Sequence, residues 1–201
     1  PSFHVLMETE ATDVLTEDGK VVGLRAKDKN REFEIKAELV VGADGRHSTV
    51  REKSGLTLID SGAPIDVLWF RLPRKDDGTK ESLGHIDGGK FFVMLDRDTY
   101  WQCGYIIEKG AFEKIKEKGI EQFQKDIATL VPALNEAVSE LTDWEQVKLL
   151  SVAVDHLEKW FKPGLICIGD SAHAMSPVGG VGINYAIHDA VASANILVPA
   201  F

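Results

Sequence analysis

The chain has 201 residues, enough for one sizeable core or two small ones, and its 44% hydrophobic and 27% charged residues are ordinary globular composition. A formal net charge of −9 excludes nucleic acid as a natural partner, since such binding begins with Lys and Arg neutralising phosphate. No apolar stretch reaches the roughly 20 residues needed to cross a bilayer, and the first four residues lack a signal-peptide layout, so a cytoplasmic protein without integral membrane association is expected.

The chain opens as a strand over residues 4–9, an abrupt start that predicts missing residues upstream. Strands over 21–26 and 33–41 follow, punctuated by the turns Glu17-Asp18-Gly19-Lys20 and Lys27-Asp28-Lys29-Asn30, and together they predict a β-meander. The last strand changes from alternation at Phe33, Ile35 and Ala37 to the continuous run Leu39-Val40-Val41, as a half-exposed ribbon does on entering a sheet covered on both faces. It ends at Gly42-Ala43-Asp44-Gly45.

Strands over 67–72, 91–95 and 100–107, with turns at Asp87-Gly88-Gly89 and Asp96-Arg97-Asp98, predict an antiparallel sheet. Its aromatics, Trp69, Phe70, Phe91, Phe92, Tyr100, Trp101 and Tyr105, could line a pocket, but strand alternation puts about half of them on a face packed by helices, so a core role is favoured. Helices are predicted over 111–117 and 120–131, the second from the spacing of Ile120, Phe123, Ile127 and Leu130, and a third, beyond Pro132, from Leu134, Val138 and Leu141. The charge run over 113–118 reads as a solvated helix face. A strand over 148–154, a loop with Trp160 and Phe161, and a short buried strand over 165–168 lead to Gly169-Asp170. From Ile183, apolar residues at Ala186, Ile187, Ala190, Val191, Ala194 and Leu197 predict a closing helix of about four turns. Cys103 and Cys167 lie in apolar strands and read as buried free thiols; no zinc-ligand spacing occurs, so no metal is expected.

The segment from Leu165 carries the strongest chemical signal. A buried strand ending in Gly-Asp sets a carboxylate at the C-terminal edge of a sheet, where open α/β sheets bind ligands, and Asp170 could there accept hydrogen bonds from sugar-alcohol hydroxyls. Gly179, Gly180 and Gly182 let backbone approach a flat ligand and lead into a helix N-terminus, whose free amides favour negative charge. The same corner also reads as strand-turn-helix packing alone, and the spacing does not choose between the two.

The segment resembles the second flavin-binding motif of the FAD-dependent monooxygenases of the para-hydroxybenzoate hydroxylase type, G-D-x-A-H-x-x-x-P-x-x-G-x-G-x-N, with Gly169, Asp170, Ala172, His173, Pro177, Gly180, Gly182 and Asn184 at its fixed positions. A strand followed by Asp44-Gly45-Arg46-His47-Ser48-Thr49-Val50-Arg51 resembles the same family's Asp-Gly motif, D-G-x-x-S-x-x-R, about 125 residues earlier. The resemblance implies that Asp170 binds the ribityl chain, that Pro177 lies near the isoalloxazine, and that the amides around Gly182, Ile183 and Asn184 face its pyrimidine edge, with Val181 also in the cofactor-binding set. Asp44, Gly45, Gly169, Gly179 and Gly180 complete the implied cofactor-binding set. No catalytic acid or base is implied, and His173 reads as a hydrogen-bonded structural histidine.

The implied fold class is α/β, with α+β in an inserted region: an incomplete FAD-binding Rossmann-like domain plus an antiparallel sheet with helices as substrate domain. Residues 1–60 and 155–201 would be parts of the FAD-binding domain and 61–154 the substrate-binding domain. The implied reaction uses FAD, NADH or NADPH, and O2, which adds at flavin C4a to give the hydroperoxide that hydroxylates an organic, aromatic substrate. Alternatives are an FAD-dependent reductase, halogenase or epoxidase of the same fold, or a non-catalytic fold relative acting as a binding module. No G-x-G-x-x-G occurs, so the unit that would hold the FAD pyrophosphate is expected upstream; the chain reads as a fragment, inactive and weak in FAD binding alone, and prone to self-association through open sheet edges.

Overall fold

The computed structural model describes residues 3–74, 83–177 and 179–200. The remaining positions, including Val178 in the glycine loop, lie outside the described residues. The fold is mixed α/β and divides into two compact units, one made of residues 1–62 with 153–201 and the other of 63–152. Among the described residues no helix is long and apolar enough to cross a membrane.

The first unit opens with β1 (Glu10–Glu17), β2 (Lys20–Lys27) and β3 (Glu32–Lys36), an antiparallel meander in that order. Asp18 and Gly19 both have positive φ, 47° and 79°, as the tight β1–β2 turn requires. The first strand begins later than the expected 4–9, because Glu8 turns the chain with φ of 54°. Two register shifts in β1 disguise its period: they put Ala11 and Val14, three residues apart, against one small core with Val21, Val40, Val50 and Leu165. The expected strand over 33–41 is two strands, β3 in the meander and β4 (Val40–Gly42) in a different sheet, so the change in hydrophobic pattern marks a change of sheet. After β4 come α1 (Thr49–Ser54) and β5 (Leu58–Asp60), the latter unforeseen in the sequence.

The second unit contains β6 (Ile65–Pro73), β7 (Leu83–Asp87), β8 (Lys90–Asp96), β9 (Tyr100–Glu108), α2 (Phe112–Glu117), α3 (Ile120–Leu130) and β10 (Lys148–Ser151). Its antiparallel sheet runs in the order β10-β6-β9-β8-β7. Alternation sends Leu68, Phe70, Leu72, Phe92, Met94, Cys103 and Tyr105 to one face, where Phe123 and Ile127 of α3 pack on them. Phe123 meets the rings of Phe70 and Tyr105 edge-on at 5.6 and 5.4 Å, an arrangement that adds to the burial of the rings themselves. Of the aromatics weighed as pocket residues, Phe70, Phe92, Trp101 and Tyr105 are buried in this core, while Trp69, Phe91 and Tyr100 are half-buried on the other sheet face.

The expected third helix is absent. Leu134, Val138 and Leu141 are buried as their spacing implies, but the backbone carrying them is two separate 3-10 turns, Pro132–Leu134 and Ala137–Glu140. The strand expected over 148–154 stops at Ser151, because the next amide, Val152, donates to Asp66 instead of to the sheet.

The chain then returns to the first unit through β11 (Asp155–Leu157), β12 (Phe161–Lys162), β13 (Leu165–Cys167) and α4 (Gly182–Leu197). β11 pairs with β5, and β13 lies between β12 and β4. β13 and β4 are parallel, with Leu165 opposite Val40 and Cys167 opposite Gly42. Gly164 joins this sheet to the meander: at φ of 77°, an added β-carbon would fall 1.9 Å from the Val21 carbonyl oxygen, so only glycine permits the approach.

Candidate functional site

Because β4 and β13 are adjacent and parallel, both of their C-terminal ends emerge at one edge. The Asp-Gly turn and the Gly-Asp turn, far apart in sequence, therefore lie side by side. Arg46 Nε is 3.2 Å from Asp170 Oδ2, with side chains 27% and 35% exposed. At that exposure the pair contributes about 1 kcal/mol or less, so its main effect is to orient the carboxylate.

The first turn is built by hydrogen bonds from its own residues. Asp44 accepts from the Ser48 hydroxyl at 2.5 Å and from the Val50 amide at 3.0 Å. Ser48 in turn caps α1 by accepting from the Arg51 amide. Arg51 is buried, and its guanidinium donates to the Arg46 carbonyl at 2.5 Å and the Ser171 carbonyl at 3.1 Å, tying the two turns together. Ser171 completes the link by donating its hydroxyl to the Gly42 carbonyl at 2.6 Å or to that of Ile168 at 2.7 Å.

The second turn is closed by the helix. A single oxygen of Asp189, on α4, accepts from the Gly169 amide at 2.8 Å and lies 2.6 Å from His173 Nε2. Trp160 packs its ring 4.8 Å from the His173 ring. The histidine is thus hydrogen-bonded and wedged. On both sides of it the backbone is also fixed, since Leu157 and Asp155 donate to the carbonyls of Ala172 and Ala174.

Between the two turns and α4 lies a cleft of about 450 Å³, lined by Ala43, Gly45, Ile168, Gly169, Asp170, Gly182, Ile183, Ala186 and Ala190. Its volume is that of a small-molecule site. Of the residues singled out in the sequence, Gly45, Gly169, Asp170, Gly182 and Ile183 share its walls. Asp44 stands behind them, its carboxylate engaged by α1. Pro177, Gly179, Gly180, Val181 and Asn184 belong to the loop and first turn leading into α4 and are not among the lining residues. Pro177 accepts from the Gly180 amide in that loop, and Gly179 and Gly180 hold φ of 93° and 63° with open space where side chains would stand. Val181 precedes α4 without a side-chain cap, and the Asn184 and Tyr185 amides turn back to its carbonyl, so among the described residues the donors left open at the helix start are those of Gly182 and Ile183.

A flavin fits these residues. The cleft offers a carboxylate acceptor, walls of glycine and alanine that let backbone approach a planar ring, and an uncapped helix end beside them. Arg46 and Asp189 were not recognised in the sequence as site residues. Arg46 directly follows Asp-Gly, a position the motif leaves open, and Asp189 is the one acidic residue of α4, a faint signal beside the glycine motif.

A family model described as an FAD binding domain matches residues 1–200. The chain is 32% identical over 203 residues to 6-methylpretetramide 4-monooxygenase of Streptomyces rimosus, covering 98% of this chain and 47% of that protein. It is 24% identical to 3-demethoxyubiquinol 3-hydroxylase of Escherichia coli, covering 96% of this chain and 50% of that one. The chain thus spans about half the length of these relatives. Among solved structures, Pseudomonas aeruginosa PqsL in complex with 2-aminobenzoylacetate superposes with a TM-score of 0.75 at 19% identity, over 93% of this chain and 52% of that one. The myxobacterial chondrochloren halogenase CndH gives 0.72 at 21% identity, over 90% and 44% of the two chains. At these identities the structural likeness concerns the fold.

Proposed function

Since this chain belongs to the FAD binding domain family, we propose that it is part of a flavin-dependent monooxygenase that hydroxylates an aromatic small molecule. The observation that carries this reading is the meeting of Asp170, Gly182 and Ile183 on one glycine-rich cleft at the end of two parallel strands. When bound, FAD would supply the redox chemistry, with NADH or NADPH as the reductant and O2 as the source of the inserted oxygen atom. The protein's own residues bind and orient.

In this reading Asp170 accepts hydrogen bonds from the ribityl hydroxyls, with Arg46 holding its carboxylate in place. Gly45 and Gly169 present backbone to the cleft, and the bare Gly169 also lets α4 close on it at Ala186. Gly179, Gly180 and Pro177 carry the loop past the ring. Val181 opens α4 so that the Gly182 and Ile183 amides would be free to meet the electron-rich pyrimidine edge, with Asn184 beside them and its own amide held by the Val181 carbonyl, and the positive end of the helix dipole would stabilise the reduced cofactor. Asp44 keeps α1 and its turn in register behind the cleft. Residues 1–60 and 155–201 act as FAD-binding parts and residues 61–154 as the substrate-binding domain.

Titration of FAD into the full-length protein, followed by quenching of flavin fluorescence, tests the assignment. Asp170→Ala is expected to weaken binding 10- to 100-fold, the loss of about 1.5–3 kcal/mol associated with a hydrogen bond to a charged group. Undiminished affinity would remove Asp170 from the site. NAD(P)H consumption stimulated by a phenol, with formation of a hydroxylated product, is the expected turnover signature. A halide-dependent halogenated product, or oxidation indifferent to phenols, would replace hydroxylation with halogenase or reductase chemistry.

A further inference from the structure

The geometry points to Asp189 as a positioning residue for the cofactor, one that sets the gap between the Asp170 turn and the N-terminal end of α4. This rests on the assignment of the cleft to FAD. The two groups meant to engage the cofactor stand on separate elements: Asp170 follows β13, whereas Gly182 and Ile183 begin α4. Asp189 connects them. From within α4 it accepts from the Gly169 amide, immediately before Asp170, and it meets the His173 ring three residues after Asp170.

Three observations distinguish this contact from ordinary surface pairing. The Asp189 side chain is only 13% exposed and that of His173 16% exposed. Both bonds fall on the same oxygen, which fixes the direction of the carboxylate as well as its distance. Gly169 and Ala186, one helical turn before Asp189, are already in contact range, since a β-carbon on Gly169 would come within 3.1 Å of that of Ala186. The helix is pressed against the strand end at Ala186 and held there at Asp189. Ala186 and Ala190 line the cleft on either side of Asp189, while Asp189 itself is not among the lining residues. It therefore touches the cofactor only through the groups it spaces.

The test uses the full-length protein stripped of FAD and measures three quantities: FAD affinity, the visible circular dichroism of the flavin at saturation, and the melting temperature of the apoprotein. Asp189→Ala is expected to weaken FAD at least tenfold and to alter the dichroism of the flavin that still binds, because the helix end is no longer registered on the ring. Asp189→Asn keeps, in its one carbonyl oxygen, an acceptor for both the Gly169 amide and a protonated His173 Nε2, and is expected to stay within threefold of the parent with its dichroism restored. A lowered melting temperature with unchanged affinity and dichroism would reduce Asp189 to a stability element and overturn the inference. If Asp189→Ala yields no folded protein, His173→Ala decides: weakening of FAD by threefold or more with altered dichroism supports positioning, and parental values overturn it. Failure of the parent protein to bind FAD would instead sink the flavoprotein assignment on which this rests.

Discussion

Gly169 has φ of 60°, in the left-handed region, and its missing side chain admits Ala186 of the closing helix. A methyl group there meets two penalties together, a backbone conformation unfavourable for other residues and a contact that forces α4 outward. Gly169→Ala is expected to cost about 1–3 kcal/mol of stability and to weaken FAD binding, measured by thermal denaturation and flavin titration; a variant that matches its parent in both would mean that α4 does not need this approach. The sequence made Gly169 and Asp170 conspicuous because a Gly-Asp pair after an apolar strand is a local pattern. Asp189 carried no comparable mark, for its role depends on partners 16 and 20 residues away that only the folded chain supplies. Arg51 was readable as the last fixed position of the Asp-Gly motif, but not as the buried guanidinium joining two loops, since its partner Ser171 is 120 residues distant.

Among the elements, those with strong local periods could be read and those defined by pairing could not. α3 and α4 follow from their apolar spacing, and the sheet of the second unit from its alternation and turns. The short strands β5, β11 and β12 have two or three residues each, too few to show a period, and exist only because partners lie alongside. The segment after Pro132 shows the converse: a helical spacing of apolar residues recorded burial correctly while the backbone took 3-10 turns. Asp66 explains the early end of β10 and offers a pH test. Burial, at 2% exposure, opposes its charge, but the Gly110 amide, the Lys109 ammonium and the Val152 amide together hold its carboxyl below the ordinary value. A depressed acid pKa stabilises the fold above the unfolded value near 3.8, and that stabilisation is lost as pH falls through the folded value. Asp66→Asn should therefore cost about 1–3 kcal/mol at neutral pH, and the gap from the parent should narrow only below about pH 3.8; a gap that is constant from pH 7 to 3 would show that the charge contributes nothing.

At the scale of the whole molecule, one unit is continuous in sequence and the other is closed by its two ends, residues 1–62 and 153–201. The change of texture between the meander, the aromatic strands and the glycine-rich end made three segments visible in the sequence. The parallel pairing of β4 with β13 had no local signature at all. Each unit contains one buried free cysteine, Cys103 in β9 and Cys167 in β13. Burial pushes the Cys103 thiol up to about 12, and it also raises that of Cys167, reinforced by the nearby Asp44 charge. Neither is reactive while its own unit is folded. In refolding followed by pulses of a thiol reagent, Cys103 is expected to become protected before Cys167, because contacts distant in sequence form more slowly; simultaneous protection would show that the units fold as one.

The register of that parallel pair has a consequence for biosynthesis. Leu165 must find Val40, so at a translation rate of about 5–20 residues per second β4 is on the ribosome's outer side for on the order of ten seconds before β13 exists to join it. During that interval the nascent chain exposes a bare hydrogen-bonding rim, which is the stage at which a chaperone would be of most use to it.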